Sequence, residues 1–452
     1  MSAPVRTALA RGVGRGLRAA GRGGTSLPGK VLLRIDPAAI TRLARSLPRG
    51  SAVISATNGK TTTAALAAAI LDTAGVATLH NVAGANMAGG IASALLERRR
   101  DAQLGVFEVD EFWLDAVAKA LDPEAIVLSN LFRDQLDRYG ELEAIADRWD
   151  KLTAQLRARL ILNADDPLIA DLGRERAQTL FFGIEDPAAA TGVAPSHASD
   201  STHCRRCGTA FAYERSYIAH LGVYACPGCD ARRPVPAVCA HAVAIDGLRG
   251  SRFELRTPLG AASVQLSLPG LYNVYNALGA AALATALGVE PQTIATGLAN
   301  ATAVFGRGER VPLERTELSI LLVKNPAGAN EVLRLLGSQP GPHELLAVLN
   351  DRTADGRDVS WIWDADYETL APRVGWVTCS GTRAAEMALR LKYAGVPVER
   401  IAVVPELDEA LDQALTRAPG DLYALPTYTA MLALRELLTR RGRVRGSWER
   451  HP

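Results

Sequence analysis

An uncharged, strand-like run at residues 51–56 leads directly into Thr57-Asn58-Gly59-Lys60-Thr61-Thr62. An alanine-rich stretch, residues 61–75, follows and stops at Gly75. A strand, a glycine-lysine loop and a helix in this order aim backbone N–H groups and the positive end of the helix at one point, which suits nucleotide phosphates. In that arrangement Lys60 reaches the β- and γ-phosphates of ATP, and the Thr61 hydroxyl, with Thr62 beside it, is a ligand for Mg²⁺. Ile54 stands where the longer motif has its first glycine, so this is a shortened form. The blander alternative is a Gly-Lys turn that only caps a helix. The strand before it and the helix after it weigh against that reading.

Strand-like runs recur at 105–109, 125–128 and 159–162, with helical stretches between them. This alternation predicts an α/β fold with a central parallel sheet covered by helices on both faces. Residues 186–203, rich in Ala, Pro, Ser and Thr, interrupt the pattern, and a cysteine-rich segment follows to about 235. Residues 251–268 alternate as an antiparallel hairpin would, and 276–287 read as a helix ending at Gly288. A second, Rossmann-like α/β unit begins near 311, with strands at 318–323, 344–349, 374–379 and 401–404 and a helix at 384–394. Gly306-Arg307-Gly308-Glu309-Arg310 is the expected hinge. The expected division is a basic helical segment (1–45), a central ATP-binding domain (46–310) with a cysteine-rich insertion at about 200–235, and a C-terminal α/β domain (311–452).

The chain of 452 residues, 48% hydrophobic, is long enough for two or three separate cores. Its net charge of +2 supplies no global basic field, so nucleic acid is not an expected partner. The first 35 residues carry seven Lys or Arg and no acid. Such a start resembles a transit peptide, or a helix that touches a membrane surface or an anionic lipid-linked ligand. The favoured reading is a solvated helix packed on the next domain. No apolar run approaches the ~20 residues of a spanning helix. The expectation is a cytoplasmic protein, with peripheral contact at the inner face of the plasma membrane left open.

Cys204-x2-Cys207 and Cys226-x2-Cys229 stand 18 residues apart. Each knuckle turns tightly enough to aim two sulfurs at one ion, and two knuckles complete a tetrahedral Zn²⁺ shell. With all four ligands from protein, the zinc is structural. Redox dithiols are one alternative. A nucleic-acid-binding ribbon is another, flanked by Arg205, Arg206, Arg232 and Arg233 but with few aromatics. Cys239 and Cys379 read as small buried residues. The cysteine usage fits a reducing compartment.

Glu108 ends a strand in Val-Phe-Glu-Val-Asp-Glu, where a carboxylate beside a phosphate loop can reach Mg²⁺. Asp110 and Glu111 compete for that role, and a helix-start acid is the plain alternative.

Taken together, the Thr-Asn-Gly-Lys-Thr-Thr loop, Glu108, Asn273 within Gly-Leu-Tyr-Asn-Val-Tyr-Asn-Ala-Leu-Gly-Ala-Ala and Arg307 within Gly-Arg-Gly-Glu resemble the Mur ligase superfamily. Lys324-Asn325-Pro326-Ala327-Gly328 similarly looks like the loop that opens that family's C-terminal domain. The resemblance implies that Asn273 contacts the nucleotide base and that Arg307 holds phosphates as the C-terminal domain closes. Within the superfamily the chain resembles the MurT-type ligase subunits of lipid II isoglutaminyl synthases. That likeness rests on the four-cysteine insertion, Gly84-Ala-Asn-Met-Ala, Asn130-Leu-Phe-Arg-Asp-Gln-Leu-Asp-Arg-Tyr-Gly, Leu162-Asn-Ala-Asp-Asp-Pro and Ala354-Asp-Gly-Arg-Asp-Val-Ser-Trp-Ile-Trp-Asp-Ala-Asp. It covers roughly residues 25–435. Other Mur ligases carry a carbamoylated lysine just after the segment matching 137–140. The nearest lysine here, Lys151, is out of register for it.

The resemblance implies ATP-dependent amidation of the D-glutamate α-carboxylate of the lipid II stem peptide through an acyl phosphate. The chain has no Gly-x-Cys-x-Gly elbow with a downstream histidine, so ammonia is expected from a partner glutaminase of the GatD type. An acid of the ligase subunit would complete the partner's Cys–His pair. Asp355 is the first choice, with Asp358 and Asp364 behind it and a turn residue as the plain alternative. A competing reading is a stand-alone ligase that adds an amino acid, as folylpolyglutamate synthases do. Less favoured are a nucleic-acid-binding ATPase and a scaffold with an idle phosphate loop. Zinc removal is expected to loosen residues 200–235 before it touches ATP binding.

Overall fold

The run before the phosphate loop is small or apolar and is buried along its whole length as a strand. A strand covered on both faces belongs inside a parallel sheet, and this one lies between two parallel neighbours. The computed structural model describes residues 3–19, 26–81, 84–134, 142–193, 199–301, 307–418 and 420–444. Three helices come first: α1 (Ala3–Ala19), α2 (Leu27–Ile35) and α3 (Ala39–Ala44). The central unit runs β1 (Ser51–Ser55), α4 (Lys60–Thr73), β2 (Thr78–His80), α5 (Ala88–Leu96), β3 (Leu104–Glu108), α6 (Leu114–Leu121), β4 (Ala125–Leu128), α7 (Leu142–Gln155), β5 (Arg159–Asn163), α8 (Pro167–Asp171) and β6 (Leu180–Ile184). It continues with β7 (Ala212–Ile218), β8 (Leu221–Ala225), β9 (Val238–Ile245), β10 (Ser251–Thr257), β11 (Gly260–Leu266), α9 (Leu271–Ala286) and α10 (Pro291–Asn300). The C-terminal unit holds β12 (Arg307–Pro312), β13 (Glu317–Leu321), α11 (Pro326–Gly337), β14 (His343–Val348), β15 (Val374–Ser380), α12 (Ala384–Tyr393), β16 (Ile401–Val403), α13 (Leu407–Arg417), β17 (Asp421–Pro426) and α14 (Tyr428–Arg440).

Among the described residues the central sheet has nine strands in the order β11-β10-β9-β6-β5-β4-β1-β3-β2. It is parallel from β2 to β9, and β10 and β11 extend its edge as an antiparallel hairpin. The C-terminal sheet has the order β12-β13-β17-β14-β15-β16 and is parallel except for β12. The α/β class is therefore as read from the sequence. Two boundaries differ. β12 starts at Arg307, so residues 307–310 pair into the C-terminal sheet rather than closing the central domain at 310. A bulge at Gly308 (φ +75°) lets this charged, glycine-bearing stretch run as an edge strand although it reads locally as a hinge. Gly306 lies outside the described residues. Helix α9 starts at Leu271, five residues before the expected position, because Gly270 at φ +87° turns the chain into it.

Both faces of the central sheet are covered. On one face Leu66, Ala67, Ile70 and Leu71 of α4 pack against Ala277, Ala280, Ala281 and Ala284 of α9. Alanines on α9 let the two helices approach closely, and the buried Leu and Ile side chains of α4 each contribute about 2 kcal/mol. Close packing here fixes the start of α4, and hence the phosphate loop, against the start of α9.

The basic first helix packs on the central unit. Ala10 is fully buried, Arg11 Nε donates to the Leu96 carbonyl at 3.1 Å, and Arg42 pairs with Asp36 at 2.7 Å. No helix among the described residues is long and apolar enough to cross a membrane.

Candidate functional site

The phosphate loop lies at the C-terminal end of β1, where parallel α/β sheets present their ligand sites. Gly59 adopts φ +88°, and a Cβ there would fall 2.0 Å from Asn276 Oδ1. Only glycine fits between the loop and α9. Gly59 is also the N-cap of α4 and leaves the helix start without a side-chain cap. The first turn is thus open to an anion. The loop is braced from β4: Thr57 N–H donates to the Asn130 carbonyl at 3.0 Å, and Asn58 N–H donates to Asn130 Oδ1 at 2.9 Å.

Lys60 is buried and donates from Nζ to Glu111 Oε2 at 2.8 Å, to the Thr57 carbonyl at 3.3 Å and to the Ala56 carbonyl. Burial acts to lower its pKa, but Glu111, Asp110 and Glu108 outweigh burial and hold it above the usual lysine value. Glu108 itself accepts from Asn86 Nδ2 at 3.3 Å. Of the three candidate acids, Glu111 is the one that pairs with Lys60, while Glu108 and Asp110 line the same cavity. Thr61 Oγ1 is buried and has no hydrogen-bond partner among the described residues. An orphaned hydroxyl beside three carboxylates and an open helix start fits Mg²⁺ carried by a nucleotide phosphate.

Thr57, Asn58, Gly59, Lys60, Thr61, Thr62, Glu108 and Asn273 all line one cavity of about 280 Å³. Asn273 donates to the Pro269 carbonyl at 2.8 Å and accepts from Asn276 Nδ2 at 3.0 Å, which fixes its amide at the start of α9. The C-terminal unit closes the cavity. Lys324 Nζ donates to the Thr57 carbonyl at 3.0 Å and pairs with Asp134. Asn325 and Asn58 exchange two side-chain hydrogen bonds, of 3.1 and 3.2 Å. Burial pushes the Asp134 carboxyl up, and Lys324 partly offsets this. The backbone of Arg307 opens β12 opposite Leu321, and its side chain lies outside the described residues. Lys151 is exposed on α7, away from the cavity lining.

Asn130, Asp134 and Asn276 fall within motifs that carry the resemblance, but the sequence assigns none of them a role. Asn276 carries a usable signal, since a second amide three residues after Asn273 on an alanine-rich helix shares its face. Asn130 and Asp134 sit in a loop with no periodicity to reveal them.

Asp355 lies at the edge of this region, next to the cavity-lining Ala354. It is 5% exposed and accepts from Thr429 N–H at 2.7 Å and from the Thr429 hydroxyl, which caps the start of α14. Burial holds its carboxyl above the usual range against those bonds. Asp358 is exposed, and a hydrogen bond from Ser360 N–H at 2.8 Å holds it below that range. Asp364 is exposed, 4.0 Å from Arg133.

The cysteine quartet gathers at one end of the β7–β8 hairpin. Cys204 and Cys229 sulfurs are 3.7 Å apart, Cys207 and Cys226 sulfurs 3.4 Å, and all four lie within 4.8 Å of one another. A tetrahedron with Zn–S of ~2.3 Å has edges of about 3.8 Å, so the thiols fit a closed zinc shell. Hydrogen bonding to Thr209 pulls Cys207 down to about 6, while at Cys229 a hydrogen bond from Ala231 is outweighed by burial and the neighbouring sulfurs, which push it up. Cys239 and Cys379 are buried.

The Mur ligase middle domain family matches residues 54–220, and the MurT ligase C-terminal family matches residues 322–431. The chain is 35% identical over 431 residues to the lipid II isoglutaminyl synthase (glutamine-hydrolyzing) subunit MurT of Streptococcus pneumoniae, covering 94% of both chains. It is 33% identical over 434 residues to the subunit of the same name from Staphylococcus aureus, covering 96% of this chain and 97% of the relative. In fold it is similar to a pseudomurein peptide ligase type C from Methanothermus fervidus, with TM-score 0.67, 24% identity and coverage of 87% and 79%. It is also similar to Mycobacterium tuberculosis folylpolyglutamate synthase complexed with ADP and AMPPCP, with TM-score 0.62, 16% identity and coverage of 91% and 98%.

Proposed function

The chain belongs to the family of MurT subunits of lipid II isoglutaminyl synthase, and from that premise we propose that it amidates the D-glutamate α-carboxylate of the lipid II stem peptide. The observation that carries this reading is the convergence of the phosphate loop, three acids and a C-terminal lysine loop on one cavity. ATP supplies the γ-phosphoryl group that turns a poor electrophile into an acyl phosphate, and Mg²⁺ neutralises charge during the transfer. A carboxylate oxygen attacks the γ-phosphorus and ADP leaves. Ammonia then attacks the acyl carbon, phosphate leaves, and a proton is lost.

The chain's own residues position this chemistry. Gly59 and the open first turn of α4 hold phosphates, and Lys60 exchanges Glu111 for phosphate oxygens. Thr61, with Glu108 or its neighbours, holds Mg²⁺. Asn273 meets the base, and Arg307 with Lys324 brings positive charge from the C-terminal side. The cysteine quartet holds structural zinc.

We assign the ammonia supply to a GatD-type glutaminase docked on the C-terminal unit. Asp355 supplies the acid that orients the partner's histidine. A carboxylate has about four lone-pair sites, and Thr429 occupies only part of that capacity. The test is to supply free ammonium, glutamine or amino acids to the chain alone and to its complex with the glutaminase. The reading expects ammonium to suffice for the chain alone and glutamine to work only in the complex. Amino-acid addition without a partner would favour the stand-alone ligase instead.

A further inference from the structure

We infer that the turn of the β7–β8 hairpin forms the apolar wall against which the nucleotide's base lies, with Ile218 and Leu221 as the contacting residues and His220 as the residue that positions them. This rests on reading the cavity as the ATP site.

The hairpin has two ends with different tasks. Cys204 and Cys207 precede β7, while Cys226 and Cys229 follow β8, so the sulfurs gather at the open end. At the closed end Ile218 pairs with Leu221 across the turn, and both line the cavity of the phosphate loop.

The turn is docked rather than free. Gly222 N–H donates to the Asp165 carbonyl at 2.9 Å. His220 is fully buried, with Nε2 3.3 Å from Asp166 Oδ2 and its ring 4.9 Å from that of Phe132. Phe132 in turn exchanges hydrogen bonds of 3.1 and 3.3 Å with the hydroxyl of Thr57 in the phosphate loop. Tyr275 of α9, the helix that carries Asn273, bonds Asp165 at 2.6 Å. Two further bonds hold the turn in shape: Ser216 to the Ala219 carbonyl at 2.7 Å, and Tyr213 to the His220 carbonyl at 2.8 Å. They hold Ala219 at φ +48°, a conformation that a residue with a Cβ disfavours. A strained turn fixed on all sides marks a position where placement matters.

Position and chemistry select the base as the occupant. Asp165 and Asp166 follow β5, two strands from β1 in the sheet. At ~4.8 Å per strand this sets the wall about 10 Å to the side of the phosphate loop. Phosphate against leucine and isoleucine would lose hydration without compensation, whereas the flat face of a purine gains from that contact.

The test compares Kd values of the zinc-loaded full chain for ATP and for inorganic tripolyphosphate, measured by calorimetry. Leu221→Ala removes about three carbon atoms of wall and should weaken ATP about tenfold, leaving tripolyphosphate unchanged. Ile218→Ala is read in parallel in case the first variant does not fold, and Leu221→Met, which restores most of the volume, should recover most of the ATP affinity that Leu221→Ala loses. His220→Ala and zinc-stripped wild type should show the same selective loss, restored in the latter by zinc. Unchanged ATP binding in both alanine variants overturns the inference, as does an equal loss for both ligands. Wild type that binds no ATP overturns the site reading beneath it instead.

Discussion

Asn58 and Asn325, 267 positions apart, face each other across the two units and exchange side-chain hydrogen bonds of 3.1 and 3.2 Å. The pair ties the Thr57–Thr62 loop to the loop that opens α11, so the position of the C-terminal unit is felt directly by the residues proposed to hold phosphate. Asn58→Ala removes the pair but keeps the Asn58 backbone bonds to Asn130 and the Asn325 cap on Gly328. Two such bonds are worth about 2 kcal/mol at most, so kcat/KM for ATP should fall by up to roughly thirtyfold. Steady-state kinetics check this, and an unchanged kcat/KM would show that closure does not depend on the pair.

Gly59→Ala attacks the phosphate loop through backbone shape alone. The left-handed conformation costs a residue with a Cβ about 1–2 kcal/mol, and the new carbon meets Asn276 Oδ1. ATP affinity should drop at least tenfold in calorimetry, while the circular dichroism spectrum stays that of the wild type. Full affinity in a folded variant would sink the assignment of this loop to phosphate.

Zinc should be present at about one equivalent per chain, since four thiols close one tetrahedral shell. Chelation, or Cys226→Ser, should raise hydrogen exchange across β7 and β8 first, because the hairpin is a small two-stranded sheet that gains little from its own core. Protection that survives metal loss would mean that packing on the central unit alone holds the hairpin.

Asp355 gives a pH signature. Burial raises its carboxyl above the unfolded value, so the folded chain binds that proton more tightly than the unfolded chain does. Its contribution to stability is full below the unfolded pKa and is lost as pH rises through the raised folded value. Asp355→Asn should therefore flatten the dependence of the melting temperature between about pH 4 and the raised pKa. The same variant should lower glutamine hydrolysis in the complex without affecting ATP binding. Unchanged hydrolysis would remove Asp355 from the partner's triad and point to the exposed Asp358 or Asp364.

The sheet class and most strand positions follow from short apolar runs bounded by glycine and charge, as at 125–128, where the structure has β4 over the same residues. The strand–loop–helix around Gly59-Lys60 and the gathering of the four cysteines are local features, each formed within a few neighbouring turns, and both shapes are legible in the sequence. Pairings between distant segments were not. Glu108, Asp110 and Glu111 are equivalent as letters, and only the fold shows that Glu111 reaches Lys60. Nothing local in Ile218 or Leu221 marks a cavity wall, because the docking of the hairpin on Asp165 and Asp166 is what carries them there. Zinc loss is still expected to loosen residues 200–235 before it touches ATP binding, and the docked turn is the route by which it would do so.

The proposed amidation depends above all on phosphoryl transfer to the substrate carboxylate. The most direct measurement uses a lipid II analogue with ¹⁸O in the D-glutamate α-carboxylate, supplied with ATP and ammonium. Attack through a carboxylate oxygen, followed by loss of phosphate to ammonia, predicts one ¹⁸O in inorganic phosphate for each amide formed. Amide formation with unlabelled phosphate would contradict it.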